Sequence, residues 1–156
     1  MTVRLCGAER GSLLPPVDRR LLRARASRIL KALGQRRAEL SIRLSDDPEM
    51  KQLNSDWRGR PRPTDVLAFS LLEGEDAEHR GAMLGDVVIG VETAARQARQ
   101  RRRSLDEEVA RLLIHGTLHL LGHDHQRESG TRVMRTEERR LWREIRDPSR
   151  RAGPRG

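Results

Sequence analysis

Apolar positions recur along this chain with two periods, and the changes between them lay out its elements. Val3 and Leu5 alternate with polar neighbours and predict a short first strand, ended by the Gly7 to Gly11 segment. From Val17 to Leu33 the spacing turns helical, with Leu21, Leu22, Ile29, Leu30 and Leu33 on one face and Gly34 as the stop. Leu40, Ile42 and Leu44 return to alternation as a second strand. Asp46, Asp47 and Pro48 then offer a cap and a first-turn proline for a short helix through Met50, Leu53 and Trp57. Val66 to Phe69 and Leu84 to Ile89 read as the third and fourth strands, separated by an acidic, exposed loop at 73–80 that carries a solvated His79. Three more helices are expected: Glu92 to Arg102, one opened by a capping box at Ser104 to Glu107, and one from about Thr131 to Arg146. The pattern predicts an α+β fold with a small mixed four-stranded sheet packed against helices.

Length and composition narrow this picture. The 156 residues fit one domain over 1–146, followed by a Pro/Gly/Arg-rich tail at 147–156 expected to be disordered. No apolar run reaches the length of a membrane span, and the N-terminus lacks a signal-peptide pattern. A soluble, cytoplasmic protein without a membrane partner is therefore expected. Cys6 stands alone, which excludes an intrachain disulfide and fits a reducing compartment. The net charge of +9 favours a polyanionic partner, and nucleic acid is the natural class. All but two of the 32 basic residues are arginine, a preference that codon bias in the source genome would also produce. With only Trp57, Phe69 and Trp142 as aromatics, a base-stacking sheet is not expected, and binding should rest on phosphate contacts.

The candidate chemistry is concentrated in one stretch. Four of the five histidines lie between His115 and His125, with His115 and His119 four residues apart. On a helix these two share one face and can reach one metal ion. Gly122 would end the helix, because glycine enters left-handed backbone cheaply, and the turned chain could return His125 as a third ligand. Three imidazoles leave one corner of a zinc tetrahedron open, the pattern of a catalytic site. The helix is apolar through Leu112, Leu113, Ile114, Leu118, Leu120 and Leu121, so it should lie at the centre of the fold. The spacing matches the long zinc-peptidase motif H-E-x-x-H-x-x-G-x-x-H, a helix-turn site. Here, however, Gly116 stands where that motif has its glutamate base, which argues against peptide hydrolysis. Asp86, Asp124 or Cys6 could complete the coordination only through the fold.

A second stretch, Leu53 to Phe69, places an arginine- and proline-rich turn before a buried strand. Alone, Arg58 is one arginine among many, and Thr64 and Asp65 are ordinary turn residues. Together with the histidines they form three ordered motifs. These are Leu53-Asn54 with Arg58 and Pro63-Thr64-Asp65-Val66-Leu67 and Phe69, then Leu84-Gly85-Asp86-Val87-Val88-Ile89, then the histidine block. Over residues 40–126 the chain closely resembles the YbeY family of bacterial rRNA-maturation endoribonucleases. It departs from the family pattern at Trp57, usually tyrosine, at Ala68, usually serine, and at Ser70, usually proline.

The resemblance implies a single-strand-specific, metal-dependent endoribonuclease acting on the 3′ end of small-subunit rRNA and in ribosome quality control. It implies His115, His119 and His125 as ligands of one Zn²⁺ per chain, and Arg58 and His115 as the catalytic residues. His123 would face the cleft, and Asp124 would orient the turn or an imidazole. The implied partners are single-stranded RNA, rRNA, the small ribosomal subunit and assembly factors, with no DNA. The chemistry agrees: a cation and the fork of Arg58 can stabilise charge developing on a phosphodiester, with either water or the RNA 2′-hydroxyl as nucleophile. The alternative is a ribosome-assembly or RNA-binding factor with a mainly structural zinc, and a zinc peptidase stands behind both.

Overall fold

The computed structural model describes residues 1–9, 11–71, 82–123 and 128–146. The whole acidic loop at 73–80 with His79, Asp124, His125 and the 147–156 tail lie outside them. Chain order runs β1 (Thr2–Cys6), α1 (Arg19–Ala32), β2 (Glu39–Ser45), α2 (Asp47–Arg58), β3 (Val66–Ser70), β4 (Met83–Gly90), α3 (Val91–Arg101), α4 (Leu105–Leu120) and α5 (Glu128–Arg146). The local signals act as expected. Asp46 Oδ1 accepts the Glu49 N–H at 2.9 Å at the start of α2, and Ser104 Oγ accepts the Glu107 N–H at 3.1 Å at the start of α4. Gly34 takes φ +71° beyond α1 and donates its N–H to the Lys31 carbonyl. Two boundaries differ by more than one residue. Helix α1 begins at Arg19 rather than Val17, because the Asp18 side chain caps it. Helix α5 begins three residues before Thr131, at Glu128.

The sheet has the order β1-β2-β4-β3, with β1, β2 and β4 parallel and β3 antiparallel to β4 along its edge. The mixed four-stranded sheet and the α+β class are as the sequence indicates. Opposed residues of β3 and β4 alternate between the two faces. Val66 with Ile89 and Ala68 with Val87 point toward α4, whereas Leu67 with Val88 and Phe69 with Asp86 point to the other side. There Met50 and Leu53 of α2 pack on Leu67, Val88 and Phe69. The main core lies on the first face, where α4 is enclosed by the sheet, α1, α3 and α5.

Burial makes α4 the fixed axis of the molecule. Leu112, Leu113, Leu118 and Leu120 are shut away from solvent, each contributing roughly 1.5–3 kcal/mol of hydrophobic stabilisation. Gly116 lets this helix approach the sheet: a Cβ there would stand 2.8 Å from Val87 Cγ1 and 3.3 Å from Val66 Cγ2. Among the described residues no helix is long and apolar enough to cross a membrane.

A histidine pair and an arginine at the edge of the sheet

With α4 held by its apolar faces, its polar stripe has a fixed outlook. His115 and His119, one turn apart, meet with ring centroids 4.7 Å apart and planes at 62°. Their Nε2 atoms are separated by 3.2 Å. Two nitrogens at ordinary zinc distance from one tetrahedral ion stand about 3.3 Å apart, so the separation of this pair matches that of two ligands to one cation. The other ring nitrogen of His115, Nδ1, lies 3.3 Å from Glu138 Oε1 of α5. Donation of Nδ1–H to that carboxylate leaves a lone pair on Nε2, the tautomer a metal needs. The hydrogen bond from His115 holds the Glu138 carboxyl below its ordinary range, against partial burial and with help from the nearby Arg111 charge.

Beyond the pair, α4 ends as its sequence indicates. Gly122 adopts φ +90°, its N–H reaches the His119 carbonyl, and the His123 N–H reaches Leu118. Just past the turn, His123 lines the same cleft as His115 and His119. His125 lies outside the described residues, and among those residues no three His, Cys, Asp or Glu side chains converge as a metal site. Asp86 does not join the pair: it points to the face of β4 opposite Val87, which packs on Gly116. Cys6 sits on β1, at the other edge of the sheet from β3, with Sγ 3.7 Å from Arg43.

Arg58 reaches the same cleft from α2. As the last residue of that helix it is followed by Gly59 in the left-handed conformation, which turns the chain away. Buried Asn54 pins the arginine-rich turn, its Nδ2 donating to the Arg62 carbonyl at 2.9 Å. Arg58 Nη2 donates to the Ala68 carbonyl at 3.0 Å on the edge strand β3, and the guanidinium lies 5.9 Å from the Phe69 ring centroid. The cleft therefore straddles β3, with the histidines over one face, the α2 side chains over the other and Arg58 on the rim between. Its volume of about 1520 Å³ exceeds the few hundred to about 1,000 Å³ of a small-molecule pocket and suits a polymer.

Several neighbours brace this arrangement. Asp65 accepts the Val66 N–H at 2.8 Å and a Gln97 amide hydrogen at 3.2 Å, and it faces Arg111 at 4.0 Å. Arg111 also binds the fully buried Glu108 at 2.7 Å. Asp65, which lines the cleft, is thus also tied to α3 and α4. Ser70, where the resembled family has proline, donates its hydroxyl to the Leu120 carbonyl at 3.0 Å and couples β3 to the end of α4.

Sequence reasoning had passed over Glu138, although a signal was present. Met134, Glu138, Leu141 and Ile145 form one inward stripe on α5, and an acid within such a stripe needs a partner. Nor does the sequence show that Trp57 and Phe69 meet in this cleft, with ring centroids 5.8 Å apart. Glu138→Gln is expected to retain the fold but lower metal affinity by about 10- to 100-fold, since an amide orients the imidazole less firmly than a carboxylate. Competition titration against a chromophoric chelator checks this, and unchanged affinity would remove Glu138 from the site.

Comparison with known proteins supplies an independent line. The family model described as Endoribonuclease YbeY matches residues 16–146. The protein named Endoribonuclease YbeY from Anaeromyxobacter sp. (strain Fw109-5) is 49% identical over 124 residues, covering 80% of this chain and 63% of that one. Its namesake from Syntrophotalea carbinolica is 44% identical over 124 residues, covering 78% and 83%. Thus the chain spans less than two thirds of the first relative's length but most of the second's. The solution structure of TM1509 from Thermotoga maritima superposes with a TM-score of 0.61 at 26% identity, covering 99% of both chains.

Proposed function

Because the chain belongs to the YbeY family of endoribonucleases, we propose that it cleaves single-stranded RNA with one zinc ion held by His115, His119 and His125. The observation that carries the reading is the pair of Nε2 atoms 3.2 Å apart in a cleft that also contains Arg58. Two aligned nitrogen donors answer to a cation, and an exposed guanidinium beside them answers to a phosphate. The net charge of +9 supports a polyanion over a neutral polymer.

A zinc ion bound there supplies Lewis-acid charge and acidifies water toward neutrality. The chain's own residues do the rest. Glu138 keeps His115 in the donor tautomer and fixes its ring plane. Arg58 has one Nη2 bond to the Ala68 carbonyl and carries further donors on a planar fork, which can grip the scissile phosphate and stabilise its developing charge. His119, braced on the same buried helix, presents its Nε2 beside that of His115. Gly116 has no side chain to move a proton, and the Val87 contact leaves no room for one. This excludes the glutamate-assisted peptidase route.

In this reading the RNA is ribosomal, the target is the 3′ end of the small-subunit rRNA, and the setting is the cytoplasm, with the small subunit and assembly factors as partners. The test compares wild type with Arg58→Glu on a single-stranded RNA, with metal content measured on each. Arg58→Glu should keep its metal and lose about 10²- to 10³-fold in cleavage rate, the effect of removing one transition-state donor. Cleaved ends assign the nucleophile: a 2′,3′-cyclic phosphate means the RNA 2′-hydroxyl, a linear phosphate formed directly means water. Metal-loaded wild type that binds RNA without cutting it would overturn the nuclease reading in favour of an assembly factor with a structural zinc.

A further inference from the structure

The geometry points to Trp57 as a stacking platform for one nucleobase of the RNA whose phosphate is held at Arg58, an inference that rests on the RNA reading above. Trp57 is 67% exposed, an unusual position for the largest apolar side chain in a fold that buries its core thoroughly. It occupies the last turn of α2, immediately before Arg58. Its indole meets Phe69 edge-to-face, with centroids 5.8 Å apart and planes at 67°. With two thirds of the residue exposed, that contact leaves much of the indole surface open. Phe69 in turn carries the Arg58 guanidinium 5.9 Å from its centroid. Trp57, Phe69 and Arg58 thus form one cluster, in which a base can stack while its phosphate meets the neighbouring cation.

Charge decides between kinds of occupant. The turn that follows Trp57 carries Arg58, Arg60 and Arg62, and all three line the cleft with the indole. An aromatic face ringed by guanidinium groups suits a base attached to a phosphate chain. Stacking also supplies what phosphate contacts lack: it requires unpaired bases, and so favours a single strand over a duplex. The chemistry of selectivity would therefore lie on the α2 side of β3, and the chemistry of cleavage on the α4 side.

The test is binding, so that it does not depend on turnover. Nine-nucleotide 2′-O-methyl strands are used, one of adenosines and one with the same phosphates but abasic throughout, with strand integrity checked after each titration. In a Trp142→Phe background Trp57 is the sole indole, and its fluorescence should be quenched by the adenosine strand but not by the abasic one. Trp57→Ala should weaken adenosine-strand binding by about 5- to 150-fold, the equivalent of 1–3 kcal/mol per stacked base. It should leave abasic-strand binding unchanged, and Trp57→Tyr should restore most of the loss. Equal loss on both strands would overturn the inference by showing that Trp57 acts on Arg58 instead of on a base. Unchanged binding of both strands by Trp57→Ala would overturn it too and return the exposed indole to a protein interface. Failure of wild type to bind either strand would overturn the RNA reading itself along with it.

Discussion

Replacing His115 with alanine is expected to strip the metal and lower RNA cleavage by about 10³-fold or more. The magnitude follows from the several kcal/mol that a Lewis acid contributes to charge stabilisation, each 1.36 kcal/mol being tenfold in rate. The variant should fold, because the His115 side chain is partly exposed and the helix is anchored by the leucines on its other faces. Losing this residue removes one of the two neighbouring Nε2 donors and the imidazole that Glu138 binds. His119→Ala should behave alike, since it leaves a similarly incomplete donor pair. Elemental analysis of the purified variants and a gel assay on single-stranded RNA decide the matter, with circular dichroism confirming the fold. A metal-free His115→Ala protein that still cuts at the wild-type rate would place the chemistry elsewhere.

The second large effect is on stability. Gly116→Glu would insert the missing glutamate of the zinc-peptidase motif, and the expected result is a severely destabilised protein, not a peptidase. The Cβ alone would lie 2.8 Å from Val87 Cγ1, and overpacking of this kind costs about 1–3 kcal/mol. The remaining side chain would force a carboxylate between α4 and the sheet, where desolvation costs several kcal/mol more. Domains of this size are typically stable by only about 5–15 kcal/mol. Denaturant titration should therefore show most of the stability lost. Gly116→Ala should lose less, because the overpacking is partly offset by about 1 kcal/mol of helix propensity. A Gly116→Glu protein as stable as wild type would refute the close packing of α4 on β3 and β4.

Much of the fold was legible because its signals are local. The alternation at Leu40, Ile42 and Leu44, the caps at Asp46 and Ser104 and the stop at Gly34 each act within a few residues, and each element stands where its signal is. The site was legible where its geometry is helical. His115 and His119 are brought together by a spacing of four residues on one helix, which no tertiary contact needs to supply. Their partner Glu138 was missed because it lies 23 residues away on another helix. Its place in an inward stripe signals that it has a partner, but not which one. The meeting of two aromatics was not legible for a related reason. Counting three in the chain says nothing of two of them meeting, and Trp57 and Phe69 meet only because α2 packs on the far face of β3.

From its sequence alone, then, this protein had its elements, its α+β class, the face of α4 that His115 and His119 share and its family resemblance, since these depend on residue order over short spans or on motifs along the chain. Only the tertiary structure decided that Gly116 is a packing contact as well as an absent base, and that Asp65 braces α3 and α4. It alone placed Arg58 on the rim of β3, through a bond to the Ala68 carbonyl. It also separated Asp86 from the histidines by turning it to the other face of β4. Contacts of this kind depend on which faces of distant elements are pressed together, and burial of the core as a whole sets that arrangement.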